Sequence, residues 1–292
     1  MRALRENPLL RYHLLGATRH RWRRQPWLYG AAVLGIGLVY LLVLQLTVFS
    51  EASIYATLWL TLFVMCIAAP LMAYNLFSLE YEKQTWESLA LTRLTAREIF
   101  WGKYGAALTR VALTTLLFAP FILTTHHTNG YVIAASFATL FGWGTLLISV
   151  SLWLSFKLKR TLNTAATLYA GQVIVLWLLP MLYTMVISLN YVSSYVLRDL
   201  ISSVQSYTEA FGTWLFALFN GAFIVYANPF TVATELEHMG EPITYWRDTP
   251  HTLYREGLYF MLWGFVQSIF YLGLAALFAG LTYRGIKISW RK

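Results

Sequence analysis

Residues 111–156 read VALTTLLFAPFILTTHHTNGYVIAASFATLFGWGTLLISVSLWLSF and contain no Asp, Glu, Lys or Arg. A helix needs about 20 apolar residues to cross roughly 30 Å of hydrocarbon, so this run is long enough for two crossings. The polar sequence HHTNG, residues 126–130, interrupts it and predicts a turn between two membrane helices. The run shows neither the polar face of a soluble helix nor the short alternating segments of a barrel.

The composition of the whole chain supports the same class of protein. Of 292 residues, 58% are hydrophobic and 17% aromatic, whereas only 12% are charged. An ordinary soluble domain has about 25% charged residues, so the composition argues against a soluble enzyme, a disordered chain and a secreted disulfide scaffold. The single cysteine, Cys66, cannot form an intrachain disulfide and is expected to be a small buried side chain.

The number of membrane crossings is predicted from the other stretches of the chain that lack Asp, Glu, Lys and Arg. They cover residues 25–50, 52–79, 161–197, 210–234 and 257–283. With two crossings in the opening run, they give seven candidate spans. An odd number would place the basic N-terminal and C-terminal segments on opposite sides of the membrane, which contradicts the positive-inside rule.

The stretch 210–234 is the weakest candidate because it is broken by glycines, by asparagines and by Pro229. We predict that it is a re-entrant segment that enters from the outside. Six spans then place 19 Lys and Arg residues in the cytoplasm and 3 outside, against 17 and 5 for seven spans. The net charge of +9 is therefore a topology signal with some attraction to anionic lipid, and not an indication of nucleic-acid binding.

We therefore expect an all-α polytopic membrane protein whose residues 1–292 form a single transmembrane domain, with both termini in the cytoplasm. Its predicted parts are a cytoplasmic interfacial helix in 1–26, a cytoplasmic loop in 79–98 and an extracellular or re-entrant region in 190–256. The six spans are predicted near 28–49, 54–77, 99–124, 131–156, 165–189 and 257–283. Pro70, Pro120 and Pro180 fall inside spans and mark possible kinks.

The loop between the second and third spans is long and amphipathic, and with the start of the third span it reads EYEKQTWESLALTRLTAREIFWGK, residues 80–103. A helix starting at Thr85 as N-cap would place Trp86 and Leu89 on one side. Thr95 and Glu98 have capping-box spacing, which predicts the start of a helix that continues into the third span. Mixed charge and an exposed tryptophan favour a contact with another protein over a contact with lipid.

This loop resembles the coupling-helix region of ABC-2 type transporter permeases. The matching pattern is Glu80-x-Glu82-x-x-Thr85-x-Glu87-x-Leu89-x-x-Thr92-x-Leu94-x-x-x-Glu98-Ile99-x-x-Gly102-Lys103. The predicted interfacial helix, six spans and re-entrant segment extend the resemblance over the whole chain. Gln84 departs from the pattern, because the family often has glycine there, before the threonine.

The resemblance implies that the loop docks into a cleft of a separate ATP-binding subunit, and that two permeases, identical or homologous, assemble with two such subunits. The residues implied to contact the ATPase subunit are Glu82, Lys83, Thr85, Trp86, Glu87, Leu89 and Thr92. The chain lacks the phosphate-binding motif Gly-x-x-x-x-Gly-Lys-[Ser/Thr]. We therefore expect no cofactor on this chain, and ATP and Mg²⁺ on the partner.

Intramembrane residues suggest where a pathway or a helix interface lies. The candidates are Asn75, Gln172, Trp177, Asn220 and Gln267. We predict no catalytic residue and no metal site. The expected function is that of a permease subunit in a bacterial inner membrane that exports an amphipathic or hydrophobic substrate. A stand-alone secondary carrier or channel is the main alternative, and a membrane scaffold or intramembrane enzyme is a third.

Overall fold

The computed structural model describes residues 26–49, 54–91, 94–124, 130–178, 181–182, 228–230 and 250–289. Within these ranges all regular structure is helical and no strand occurs. The helices are α1 (Pro26–Phe49), α2 (Ile54–Ala73), α3 (Ser78–Glu82), α4 (Thr85–Ala90), α5 (Ala96–Leu117), α6 (Ala119–Leu123), α7 (Gly130–Leu158), α8 (Thr161–Val173) and α9 (Pro250–Ser289). A π-helical segment, Ile174–Leu178, directly follows α8.

Five helical segments among the described residues are long and apolar enough to cross a membrane. They are Ala56–Glu82, Ala96–Leu123, Ile133–Leu158, Thr161–Leu178 and Phe265–Ser289. They overlap the second to sixth predicted spans. The described residues are thus all-helical, as predicted, and their apolar helices are compatible with a membrane protein. The first predicted span is helical too: α1 has 24 residues and carries no charged residue.

Two predicted elements fall largely outside the described residues. The interfacial helix was predicted for 1–26, of which only residue 26 is described. The re-entrant segment was predicted for 210–234, of which only residues 228–230 are described.

The chain divides into two compact units. One comprises Met1–Leu168 with Ala233–Lys292, and the other is Tyr169–Val232. In the first unit α7 packs against α2, α5 and α9. A Cβ atom added at Gly144 would lie 2.8 Å from Cγ1 of Val111 and 3.1 Å from Sδ of Met65. Glycine is needed there because it allows three membrane helices to approach closely.

Cys66 is buried in this core, as expected, and Sγ accepts a hydrogen bond of 3.2 Å from Nε1 of Trp143 on α7. The ring of Trp143 meets that of Tyr271 on α9 edge to face at 5.2 Å. The core of the first unit is therefore a set of interdigitating aromatic and small side chains between α2, α7 and α9.

The predicted proline positions differ in their effect. Pro70 lies inside α2, whereas Pro120 stands at the start of α6, after α5 has ended at Leu117. Proline lacks an N–H, so a break frees carbonyl groups that need other donors. The hydroxyl of Tyr40 on α1 donates to the carbonyl of Leu117 at 2.8 Å and supplies one.

A similar arrangement occurs within the second unit. In an α-helix the carbonyl of Leu176 would accept from residue 180, which is a proline in this sequence. Instead Nδ2 of Asn228 donates to that carbonyl at 3.2 Å, while Oδ1 of Asn228 accepts from the N–H of Phe230 at 3.0 Å. One buried side chain thus joins two segments of this unit.

The last helix is longer than predicted. α9 covers Pro250–Ser289, so residues 250–256, which were predicted to belong to the outer region, continue the final helix. Proline is well suited to the first turn of a helix because that turn needs no donor from it. At 1.5 Å per residue, 40 residues extend about 60 Å, roughly twice the hydrocarbon thickness.

Candidate docking segment between α2 and α5

Two short helices lie between α2 and α5. After α2 a turn leads into α3, and a second turn leads into α4. We call residues 78–91 the two-helix segment; it comprises α3, the turn at Lys83 and Gln84, α4 and Leu91. Six of the seven residues that were predicted to contact an ATPase subunit lie in this segment.

The end of α7 fixes the entrance to the segment. Oγ of Ser155 accepts hydrogen bonds from the backbone N–H groups of Phe77 at 3.1 Å and Ser78 at 2.8 Å. These donors lie at the start of α3, where no earlier turn of the helix supplies acceptors. The hydroxyl of Ser78 donates in turn to the carbonyl of Tyr74 at 2.9 Å. The direction in which the chain leaves α2 is therefore set by α7.

A buried lysine attaches the segment to α5. Lys103 has no exposed surface, and its Nζ forms an ion pair with the carboxylate of Glu80 on α3. The same nitrogen donates to the carbonyl of Leu76 at 2.5 Å and lies 4.2 Å from the ring centre of Phe77. A buried charge is tolerated when it is paired and hydrogen-bonded in this way. Lys103 belongs to the sequence motif, but this role was not predicted for it.

Trp86 corrects one expectation. It was predicted to be exposed, but only 8% of it is accessible. Its ring stacks on Tyr81 at 5.0 Å and meets Phe77 and Phe156 at 6.1 Å. The apolar side of α4 is therefore covered by aromatic side chains of this chain, and Trp86 holds α4 against α3 and α7.

Thr85 is a second correction, since it is the first residue of α4 and not its N-cap. The N-cap position is held by Gln84, whose φ of 55° lies in the left-handed region. Glycine adopts that conformation without steric cost, whereas glutamine does not. The position where the sequence departs from the family pattern is thus the one where the backbone favours glycine.

The exit of the segment follows the prediction. The hydroxyl of Thr95 accepts from the N–H of Glu98 at 3.3 Å, and the Glu98 carboxylate accepts from the N–H of Thr95 at 2.8 Å. This capping box is complete and starts α5, which forms most of the candidate span Ala96–Leu123, the third span in the sequence prediction. The start of that span is therefore held by two contacts. The capping box fixes its first turn, and Lys103 attaches it to Glu80 on α3.

The other residues that were predicted to contact an ATPase subunit differ in how exposed they are. Glu82, Lys83, Thr85 and Glu87 are exposed and Leu89 is half-buried, whereas Thr92 lies outside the described residues. Leu91 was not predicted as a contact, although it is 89% exposed at the end of α4. A single exposed leucine is common on protein surfaces, so hydropathy at this position was not a signal that could have identified a contact.

Glu82 is exposed but engaged within the chain. Its Oε1 accepts hydrogen bonds from the backbone N–H of Thr161 at 2.7 Å and from the Thr161 hydroxyl at 2.9 Å. Nearby, Nζ of Lys159 lies 5.1 Å from the ring centre of Tyr81. The C-terminal end of α3 therefore contacts the turn between α7 and α8.

The predicted pathway or interface residues occupy separate elements. Asn75 is half-buried in the turn after α2, and Gln267 is buried on α9. Gln172 is half-buried on α8, and Trp177 is 52% exposed, with its ring 6.3 Å from that of Phe230. Asn220 lies outside the described residues.

The described ranges contain no group of three or more His, Cys, Asp or Glu side chains arranged to hold a metal ion. Comparison with models of known protein families finds no match, and a search of curated proteins finds no match either.

Proposed function

We propose that this chain is the membrane-spanning permease subunit of an ATP-driven transporter of the ABC-2 type. It would cross a bacterial inner membrane six times, with α1 as the first span and both termini in the cytoplasm. A separate ATP-binding subunit would dock on the two-helix segment and supply ATP and Mg²⁺. Two permeases and two ATPase subunits would form the assembly, which exports an amphipathic or hydrophobic substrate.

The two-helix segment has a buried part and an exposed part, and this contrast supports the proposal best. We call the buried part, with Glu80, Trp86 and their partner Lys103, the base, and the exposed part, with Glu87 and Leu91, the tip. A loop that only connects two spans needs no buried ion pair and no buried tryptophan. Both are present here, in Lys103 with Glu80 and in Trp86. A segment that receives force from a partner needs such a base, because a loosely held helix would yield instead of moving the spans.

The exposed tip has the chemistry of a protein interface. The segment exposes Leu91 after the last residue of α4, together with the polar side chains of Lys83, Thr85 and Glu87, and in this proposal Leu91 is the apolar centre of the contact. Interfaces commonly combine a small apolar centre with a polar rim. In this proposal Trp86 supports the contact surface from below, and Leu89, which is half-buried, contributes its remaining exposed part.

The proposal is tested by affinity purification of the tagged chain from its native host in mild detergent. We expect a P-loop ATPase to co-purify. Leu91→Asp places a charge at the apolar centre and should weaken the association roughly 10- to 100-fold, the range for an interface residue of high energy. Asn163→Asp adds the same charge at another exposed position and should leave the association unchanged.

The main alternative, a secondary carrier or channel, gives the opposite results. It requires no ATPase, so none would co-purify with the wild-type chain. Liposomes that contain only this chain would then transport solute in the absence of nucleotide. Either result contradicts the proposed function.

A further inference from the structure

The two-helix segment is joined to the start of α8 by a single carboxylate. The Glu82 carboxylate accepts from the N–H and the hydroxyl of Thr161, the first residue of α8. The hydroxyl also lies 3.0 Å from the second carboxylate oxygen. N–H groups in the first turn of a helix lack partners within the helix, and the helix dipole favours a negative charge there. Glu82 therefore acts as an N-terminal cap supplied from another part of the chain.

The turns on both sides of this contact are shaped to allow it. Gln84 follows Glu82 with a φ of 55°, and Lys159 precedes Thr161 with a φ of 56°. Both are non-glycine residues in the left-handed region, which costs energy and persists only where the surrounding contacts hold it. The turn at Lys159 is also held through its ammonium group, 5.1 Å from the ring centre of Tyr81.

The attachments of α3 differ in how readily they open. Lys103 and Glu80 are buried together, and separating them would leave a charge uncompensated in an apolar environment. Glu82 and Thr161 meet at the surface, where water replaces a broken hydrogen bond. A movement of α3 would therefore open the Glu82–Thr161 contact before it separates Lys103 from Glu80.

We propose that Glu82 is a positioning residue that couples the position of the two-helix segment to the N-terminus of α8, which it caps only while the Glu82–Thr161 contact is closed. The inference rests on the proposed function, because the movement is that of the docked ATPase subunit. The Glu82–Thr161 contact opens when the ATPase binds nucleotide, while the Lys103–Glu80 pair stays closed. Glu82 thereby links the ATPase cycle to the first turn of a membrane-spanning segment, Thr161–Leu178.

The test measures amide hydrogen exchange at Thr161, resolved to single residues by mass spectrometry, in the complex purified with its ATPase. Without nucleotide the Thr161 amide should be protected, and ATP with orthovanadate should raise its exchange rate about tenfold. Glu82→Ala should raise the rate without nucleotide to the same level and remove the response. Asn163→Ala, an exposed change in the same turn of α8, should retain it.

A second readout separates coupling from simple stabilisation. Thr161→Pro removes both donors, and proline is favoured at the first position of a helix, so α8 should remain intact. Thr161→Pro and Glu82→Ala should each lower the ATP hydrolysis rate of the complex about threefold to tenfold. The double variant should be no slower than either single variant, because both remove the same contact. Thr161→Ser keeps both donors and should preserve the rate.

Each outcome is decisive. If the ATPase stays bound but nucleotide leaves Thr161 exchange unchanged, the inference is overturned while the proposed function stands. The same holds if the effects of Glu82→Ala and Thr161→Pro on the hydrolysis rate multiply. If no ATPase co-purifies, the proposed function fails and the coupling role fails with it. Exchange in the isolated chain would then show separately whether Glu82 caps α8.

Discussion

The base and the tip of the two-helix segment are built in opposite ways. At the base, Lys103, Glu80 and Trp86 are packed together with aromatic side chains and the end of α7. At the tip, Glu87 and Leu91 are exposed. The difference indicates that the base attaches the segment firmly to the neighbouring helices, whereas the tip is exposed. Perturbing the base should therefore cost stability, whereas perturbing the tip should change association only.

The largest effect is expected from Trp86→Ala, which leaves a cavity among Phe77, Tyr81 and Phe156. Truncation of a buried tryptophan costs about 3–4 kcal/mol, which lowers Tm by roughly 6–15 °C. Cys66 is the only cysteine and is buried, so a thiol-reactive dye reports unfolding directly. Leu91→Ala is the control at the tip and should shift Tm by less than about 2 °C, as for an exposed side chain. Equal shifts would contradict the division into base and tip.

A smaller effect is expected from Lys103→Met. This change leaves the Glu80 carboxylate without its partner and should cost about 2–3 kcal/mol, measured by the same dye assay. Adding Glu80→Gln removes the uncompensated charge, so the double variant should recover part of the loss. A double variant as unstable as the sum of its single changes would show that the ion pair does not hold the base.

The smallest effect is expected at the turn between base and tip. Gln84→Gly relieves the left-handed strain at φ 55° and should raise stability by up to about 1 kcal/mol. Lys83→Gly is the matched control, because Lys83 has a φ of −85° and gains nothing from glycine. A stabilising effect at Lys83 that equals or exceeds the effect at Gln84 would contradict the interpretation of this turn.

Local sequence patterns predicted the helical elements well. The charge-free runs located five of the predicted spans, because a helix that crosses a membrane must be predominantly apolar over about 20 residues. The capping box at Thr95 and Glu98 was predicted from spacing alone, since both partners lie within one turn. The departure at Gln84 also identified a real feature of the backbone.

Contacts between distant residues were not predictable in this way. The amphipathic pattern of α4 identified the apolar side of this helix, which carries Trp86. It did not identify the residues that cover Trp86, because Phe156 lies on α7 and is distant in the sequence. Glu82 resembled the exposed glutamates around it, and its partner Thr161 is 79 residues away in the sequence. The early start of α9 was missed because charged residues in 250–256 resembled a loop.

The most direct test of the account is photocrosslinking in native membranes with p-benzoylphenylalanine in place of Leu91. The account predicts a covalent adduct between this position and a P-loop ATPase, identified by mass spectrometry of the crosslinked band. The same amino acid at Leu162, which is 78% exposed on α8, should give no such adduct. Crosslinks from position 91 to lipid alone, or to proteins outside the cell, would contradict the account.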